Sequence, residues 1–316
     1  MDVGSGATAW MDPEAAPFEY VVALEWSPDG RRVAVQTVNR PQTRLELYLV
    51  DRTSGKPTRV LTETDAAWVN THELEFLEKG EGFLWSSERD GHTRLYRYRA
   101  DGTLLNPLTK GPWSVRGPGA FTTAPLGAIV AVDETRGLVY FTALEKPPVE
   151  RHLYRVRLDG SGMERLSRED GVHRPRFSLD SRFYVDAHSS HSTLPSLSLR
   201  DADGGRKAEL APPRTDLLAG LDVQYPVLLT VPAEDGTPLQ ACILKPKGFD
   251  PARRYPVVLH VYGGPGAPRV LDRWDGSLWF NQLLLKEGYV VATIDNRSAT
   301  AASRAHETSV ARRLWS

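Results

Sequence analysis

A single cysteine, Cys242, stands among the 316 residues, so no intrachain disulfide can form and a disulfide-built scaffold is excluded. It lies in an apolar, strand-like run and reads as core filler. No apolar stretch approaches the roughly 20 residues that a membrane-crossing helix needs, so no membrane span is expected. Neither sign of charge dominates: 39 Lys and Arg stand against 40 Asp and Glu, and no long-range field favours nucleic acid or an anionic surface. Met1 to Trp10 carries neither a basic n-region nor an apolar h-region, so no signal peptide is visible and the compartment is not readable. No Gly-x-Ser-x-Gly nucleophile turn occurs anywhere in the chain.

What is present is ordinary for a globular protein long enough for two domains: 41% apolar and 25% charged residues, which argues against wholesale disorder. From about Phe18 to Leu210 one plan returns: an apolar strand, a Pro/Asp/Gly turn, an alternating strand, a connection, a third strand, then an Asp-Gly or Ser-Gly hairpin. Four copies can be laid out. The first holds Val22–Trp26, Arg32–Gln36 and Leu45–Val50; the second Leu74–Phe76, Phe83–Trp85 and Arg94–Tyr98. The third holds Ala128–Val132, Leu138–Thr142 and His152–Val156; the fourth Arg174–Phe177, Phe183–Val185 and Leu197–Leu199. Recurrence at this spacing fits four-stranded blades, and four blades make about half a β-propeller. An antiparallel sandwich also alternates, but it does not oblige the same order to return four times.

Near Pro212-Pro213 the pattern changes. Longer apolar strands follow at Tyr225–Val231, Leu239–Leu244 and Val257–Val261, then a helix over about Ser277–Glu287 and a strand at Val290–Ile294. Strands followed by a helix and a strand open an α/β sheet. The expected division is a partial propeller over 1–212 and a truncated α/β domain over 221–316. Tyr255 to Gly266 reads as a buried strand that runs into a glycine-rich turn, with Tyr262 at its carboxyl end and His260 inside it.

This combination resembles the prolyl oligopeptidase family of serine peptidases, a β-propeller joined to an α/β-hydrolase domain, and most closely its dipeptidyl peptidase IV branch. The match is carried by Trp26-Ser-Pro-Asp-Gly30 with Gln36-Thr-Val-Asn-Arg40, Leu61-Thr-Glu-Thr-Asp65, and Phe83-Leu-Trp-Ser-Ser-Glu-Arg89. It continues in Leu108-Thr-Lys-Gly111, Val261-Tyr-Gly-Gly-Pro265 and Asp295-Asn-Arg297. The resemblance implies that Tyr262 donates its hydroxyl to the oxyanion of a tetrahedral intermediate, an effect worth about 3 to 4 kcal/mol per donor. A tyrosine that merely plugs the strand end is the alternative. Gly263 and Gly264, with Gly266, allow positive φ and close approach of backbone to substrate; turn formation alone also accounts for them. Ser298 stands where many relatives continue with glycine, and no strand-to-helix elbow surrounds it.

By the same resemblance the nucleophile, aspartate and histidine fall beyond Ser316, and the glutamate pair that grips a substrate's free amino terminus falls before Met1. The chain alone is then expected to be inactive, and its unpaired end blades and open sheet edge to make it poorly soluble or a misassembled oligomer. The implied substrates are peptides, cut to release dipeptides with Pro or Ala before the scissile bond. An oligopeptidase or acylaminoacyl peptidase of the same family, or a non-catalytic propeller that binds peptide, are the alternatives. Relatives are often homodimers and often exported. No cofactor is expected, and no metal: His188 and His191 share a suggestive spacing, but no partner ligand completes a zinc site. Trp68 leads into the second repeat, where propeller loops face the hydrolase domain, and either lines a cavity or packs at its rim.

Overall fold

The computed structural model describes residues 4–8, 10–11, 19–78, 82–117, 127–144, 148–300 and 302–311. Part of the Met1–Trp10 stretch, and Ser316, lie outside them. The first sheet is β1 (Tyr20–Trp26), β2 (Arg32–Val38), β3 (Arg44–Asp51) and β4 (Pro57–Thr64). The second is β5 (Leu74–Phe76), β6 (Phe83–Ser87), β7 (Arg94–Tyr98) and β8 (Leu104–Pro107). In the third, β9 (Ser114–Val115) pairs with β11 of the run β10 (Ile129–Asp133), β11 (Leu138–Leu144), β12 (His152–Arg157) and β13 (Glu164–Arg165). The fourth is β14 (Val172–Phe177), β15 (Phe183–Ser189), β16 (Ser196–Asp201) and β17 (Arg206–Ala211). Every pairing in these sheets is antiparallel, and apart from β9 on β11 each joins neighbours in the chain, the order of a blade.

The turns explain the order. Ser27 Oγ donates to Asp29 Oδ1 at 2.7 Å and the turn ends on Gly30 at φ 64°, which closes the β1–β2 hairpin. In the fourth sheet Ser178 Oγ donates to Asp180 Oδ1 at the same 2.7 Å, but Ser181 takes the left-handed position at φ 54°. The chain repeats the turn and replaces its glycine.

Strand alternation then sends side chains to two neighbours at once. Phe83 and Trp85 of β6 pack toward the first sheet against Ala34, Leu45 and Leu47, while Leu84 packs toward the third. Val139 and Phe141 of β11 face the second sheet, and Leu138 and Tyr140 face the fourth with Tyr184. Four sheets stacked in series through continuous apolar seams are four blades of a partial β-propeller.

The remaining chain opens an α/β-hydrolase sheet. β18 (Val227–Pro232) and β19 (Pro238–Leu244) form a hairpin, β20 (Val257–His260) runs through α1 (Leu278–Lys286) to β21 (Val290–Ile294), and the order is β18-β19-β21-β20. β20 and β21 are parallel, as a helical crossover requires. Leu278 and Leu285 of α1 pack on Leu244 and Val291. A short helix, α2 (Arg304–Thr308), follows.

Two expectations, one about β20 and one about β19, are corrected. β20 is not a buried strand: Val257 is 60% exposed and Leu259 53%, and His260 is exposed with them. β20 is the last strand of its sheet, with a partner on one side only, so its apolar composition does not bury it. Cys242, expected in the core, is half-buried on β19, and burial raises its thiol pKa.

A candidate active site between the blades and the hydrolase sheet

Beyond β20 the chain turns through Tyr262 to Gly266, and beyond β21 it turns through Asp295 to Ser298. Because the two strands are parallel neighbours, both turns leave the same sheet end. Asn296 ties them together: its Nδ2 donates to the Tyr262 carbonyl at 2.8 Å and to the Gly264 carbonyl at 3.4 Å. Its Oδ1 accepts from the Ser298 amide at 2.8 Å and the Ser298 hydroxyl at 2.7 Å. Gly266 N donates to Ser298 O at 2.9 Å. Asp295, 1% exposed, accepts from the amides of Arg269 and Val270, and burial raises its pKa.

This frame leaves Tyr262 47% exposed at the sheet end. Its ring lies across Gly264, where a Cβ would sit 2.8 Å from Cε1 and 3.0 Å from the phenolic oxygen. Gly264 is therefore required for the ring's position, not for a positive φ. Only Gly266 of the three turn glycines has one, at 62°. A Cβ on Gly263 would meet nothing within 4 Å, so no steric need for glycine is found there.

Two further points along the chain, whose contacts the sequence did not disclose, fasten the hydrolase segment to one end of the blades. At the first, the Arg304 guanidinium enters the second blade: Nε donates to Asp65 at 2.9 Å, Nη1 to Glu307 at 3.0 Å, Nη2 to the Trp68 carbonyl, and Glu88 lies at 3.5 Å. Its carbon Cζ stands 5.0 Å from the Trp68 ring centre. Asn70 donates to both Glu88 and Glu307. Burial works against the Arg304 charge, yet Glu88, Asp65 and Glu307 outweigh it and hold its pKa above the ordinary value. Burial first, and then Glu88, push the Glu307 carboxyl up. At the second point Asp272 accepts from His191 Nδ1 at 2.5 Å and from its amide at 2.7 Å, and its own amide donates to Val149 O. Trp274 N donates to Ser189 Oγ at 3.2 Å.

Beside the first of these attachments a cleft of about 720 Å³ opens, lined on the blade side by Val22, Val38 and Ala66–Thr71 with Trp68, and on the other by Pro265, Val310 and Ala311. Trp68, half-buried, serves both expectations at once: it walls the cleft and packs on Arg304. The cleft is mostly apolar, with Gln42 and Asn70 as polar groups, the makeup of a small-molecule or peptide site.

Other sequence candidates are not brought here. Ser298 is fully buried with its hydroxyl donated to Asn296. His188 Nε2 meets the Asp170 carbonyl at 2.8 Å and His191 meets Asp272, so the two histidines serve different partners. One constellation has the spacing of a nucleophilic triad: Ser167 Oγ lies 2.9 Å from His152 Nδ1, and His152 Nε2 lies 2.7 Å from Glu150. It is sealed in the third blade, with His152 at 0% exposure and Ser167 at 2%. Burial, then the Arg165 charge, pushes His152 down to about 3, so at neutral pH it is unprotonated and too weak a base to draw a proton from a serine. Among the described residues no helix is long and apolar enough to cross a membrane.

Comparison with known proteins agrees with this geometry. The family model of the dipeptidyl peptidase IV (DPP IV) N-terminal region matches residues 1–195. A probable dipeptidyl-aminopeptidase B of Emericella nidulans is 34% identical over 312 residues, covering 90% of this chain and 32% of that protein. Human dipeptidyl peptidase 8 is 26% identical over 339 residues, covering 89% of this chain and 37% of that protein. The crystal structure of Porphyromonas gingivalis dipeptidyl peptidase 4 superposes at a TM-score of 0.82 and 26% identity, over 93% of this chain and 41% of that one. The chain thus spans about a third of the length of the curated relatives it matches. Blades, sheet order and the matched region together place it: the chain belongs to the dipeptidyl peptidase IV branch of the prolyl oligopeptidase family.

Proposed function

We propose that the chain is part of a serine-type exopeptidase that releases dipeptides from peptide amino termini, with Pro or Ala before the scissile bond. Residues 1–212 supply the propeller portion and 221–316 the opening of the peptidase domain. Tyr262 is the oxyanion donor: a serine from sequence outside these residues attacks the carbonyl, and the phenol donates to the oxygen as negative charge develops. Gly264 keeps the phenol in place; Gly263 adds close backbone approach. The observation that carries the reading is the exposed Tyr262 at the parallel sheet end, on the turn whose Pro265 walls a cleft shared with Trp68. An oligopeptidase or acylaminoacyl specificity would place no acidic pair at the cleft, and a peptide-binding propeller would need no phenol there.

The chain alone hydrolyses nothing in this reading. Purified 1–316 incubated with a dipeptidyl-Pro chromogenic substrate gives no turnover above the uncatalysed rate, and measurable turnover overturns the assignment. In a polypeptide that continues the chain through a Gly-x-Ser-x-Gly turn, Tyr262→Phe lowers kcat about 100- to 1,000-fold with little change in KM. An unchanged kcat removes Tyr262 from the chemistry. Full-length relatives with this architecture suggest a homodimer, tested by the mass of that longer polypeptide in solution.

A further inference from the structure

The lobe junction carries a buried cation that no described residue balances. Arg151, 3% exposed, forms a parallel bridge with Val172; its amide donates to Gly171 O at 3.0 Å and its carbonyl accepts from His173 N at 2.9 Å. It is fixed between the third and fourth blades. Its side chain makes no hydrogen bond or ion pair with any described residue, and its Nε is sealed from solvent. A buried guanidinium without a counter-ion is strongly unfavourable, so an arrangement like this points to a partner that arrives from outside. Burial, then the charges of Arg116, Arg174 and Arg273, push its pKa down to about 9.

Arg174 follows Val172 by two positions, on the same side of β14. With Arg273, Asp275 and Trp274 it lines a cavity of about 640 Å³ between the fourth blade and the hydrolase segment. Arg174 has no ion pair with any described residue; Arg273 reaches Asp275 only at 3.6 Å. The neighbouring acids are engaged elsewhere. Asp272 is held by His191, Asp275 accepts from Ser277 N at 2.7 Å, and Glu150 faces His152, with burial, Asp170 and Asp272 pushing its pKa up to about 7.

We propose that this cavity is a carboxylate-binding site, with Arg174 and Arg273 touching the anion and Arg151 supplying buried positive potential behind them. Planar guanidiniums match a planar carboxylate, and Asp275 on the rim with Asp272 nearby disfavours a dianion such as phosphate. Leu197, Ala187 and Trp274 offer apolar surface to the chain that bears the carboxylate. That this chain is a peptide rests on the function proposed above.

Calorimetric titration of the full chain tests the site with tetra-alanine as the free acid, tetra-alanine amide, and Ala-Ala-Glu-Ala amide. The free acid binds at least about tenfold more tightly than its neutral amide, and the advantage vanishes in Arg174→Gln and in Arg273→Gln, both checked for wild-type circular dichroism. Equal gain from the internal Glu marks a site for any carboxylate; gain from the free acid alone marks a site for peptide carboxyl termini; either supports the proposal. Equal affinity for acid and amide, an advantage that survives both arginine variants, or tighter binding of inorganic phosphate overturns it. Sodium propionate bound with the same arginine dependence, while neither the acid nor the amide peptides bind at all, retains the carboxylate site and counts against the peptidase reading alone.

Discussion

β1 and β11 are both seven residues long and both rich in Val, Leu and aromatic residues, yet six positions of β1 are exposed and all seven of β11 are buried. The difference lies in their neighbours. β11 has the second blade on one face and the fourth on the other, whereas β1 packs mainly on its own sheet. β20 repeats the lesson in the α/β sheet, with Val257 and Leu259 open beside a single partner strand. Local pattern writes a strand; burial is written by whatever packs on each of its faces.

The sharpest way to break that comparison is paired truncation. Phe141→Ala, at 0% exposure, should cost about 3 to 5 kcal/mol in denaturant unfolding, while Leu24→Ala, at 64%, should stay within about 0.5 kcal/mol. Similar costs at the two positions would mean that β1 is covered in solution. Next in size, Arg304→Met removes the cation shared by Asp65, Glu88 and Glu307 and should cost about 3 kcal/mol or more. Amide exchange at α2 and Gly91 should then rise while the third blade keeps its protection; uniform loss would show that the two lobes melt as one.

A pH dependence of intermediate size comes from His72, on the segment that leads into β5. Burial, against the pull of Glu63, lowers its pKa from 6.5 to about 4. The fold holds it neutral while the unfolded chain charges it, so its contribution is complete above about pH 6.5 and is lost as the pH falls toward 4. The loss amounts to about 3 kcal/mol over that window. His72→Phe should flatten the stability profile there; parallel profiles for the two proteins would refute the assignment. Smallest is the turn that lost its glycine: Ser181→Gly should stabilise by about 0.5 to 1 kcal/mol, because φ 54° strains a residue with a Cβ. Gly30→Ser in the matching turn should destabilise by a similar amount, read from the same melts.

The blades are legible in the sequence because an apolar strand, a Pro/Asp/Gly turn and an Asp-Gly or Ser-Gly hairpin recur in register. Their outer strands are not legible: β8 and β13, of four and two residues, carry too short an alternation to read, and the longer β4 and β17 escape as well. The α/β order was legible from its strand-strand-strand-helix-strand series. The site was legible in part. Tyr262 and Gly264 lie in one continuous motif, so their proximity follows from the turn. Asn296 and Arg304 act across chain separations that no local pattern marks, and Arg151 is conspicuous only once its lack of a partner among the described residues is seen in three dimensions.

Arg304 and Asp65 lie 239 positions apart, and Asn70 and Glu307 lie 237 apart. Contacts of that span close only after the intervening chain has collapsed, which makes the α2 attachment a late event in folding and the blades its template. A nascent chain that has emerged no further than β21 therefore holds Asp65 and Glu88 in place with no guanidinium between them, and the second blade waits on residues made more than two hundred positions later.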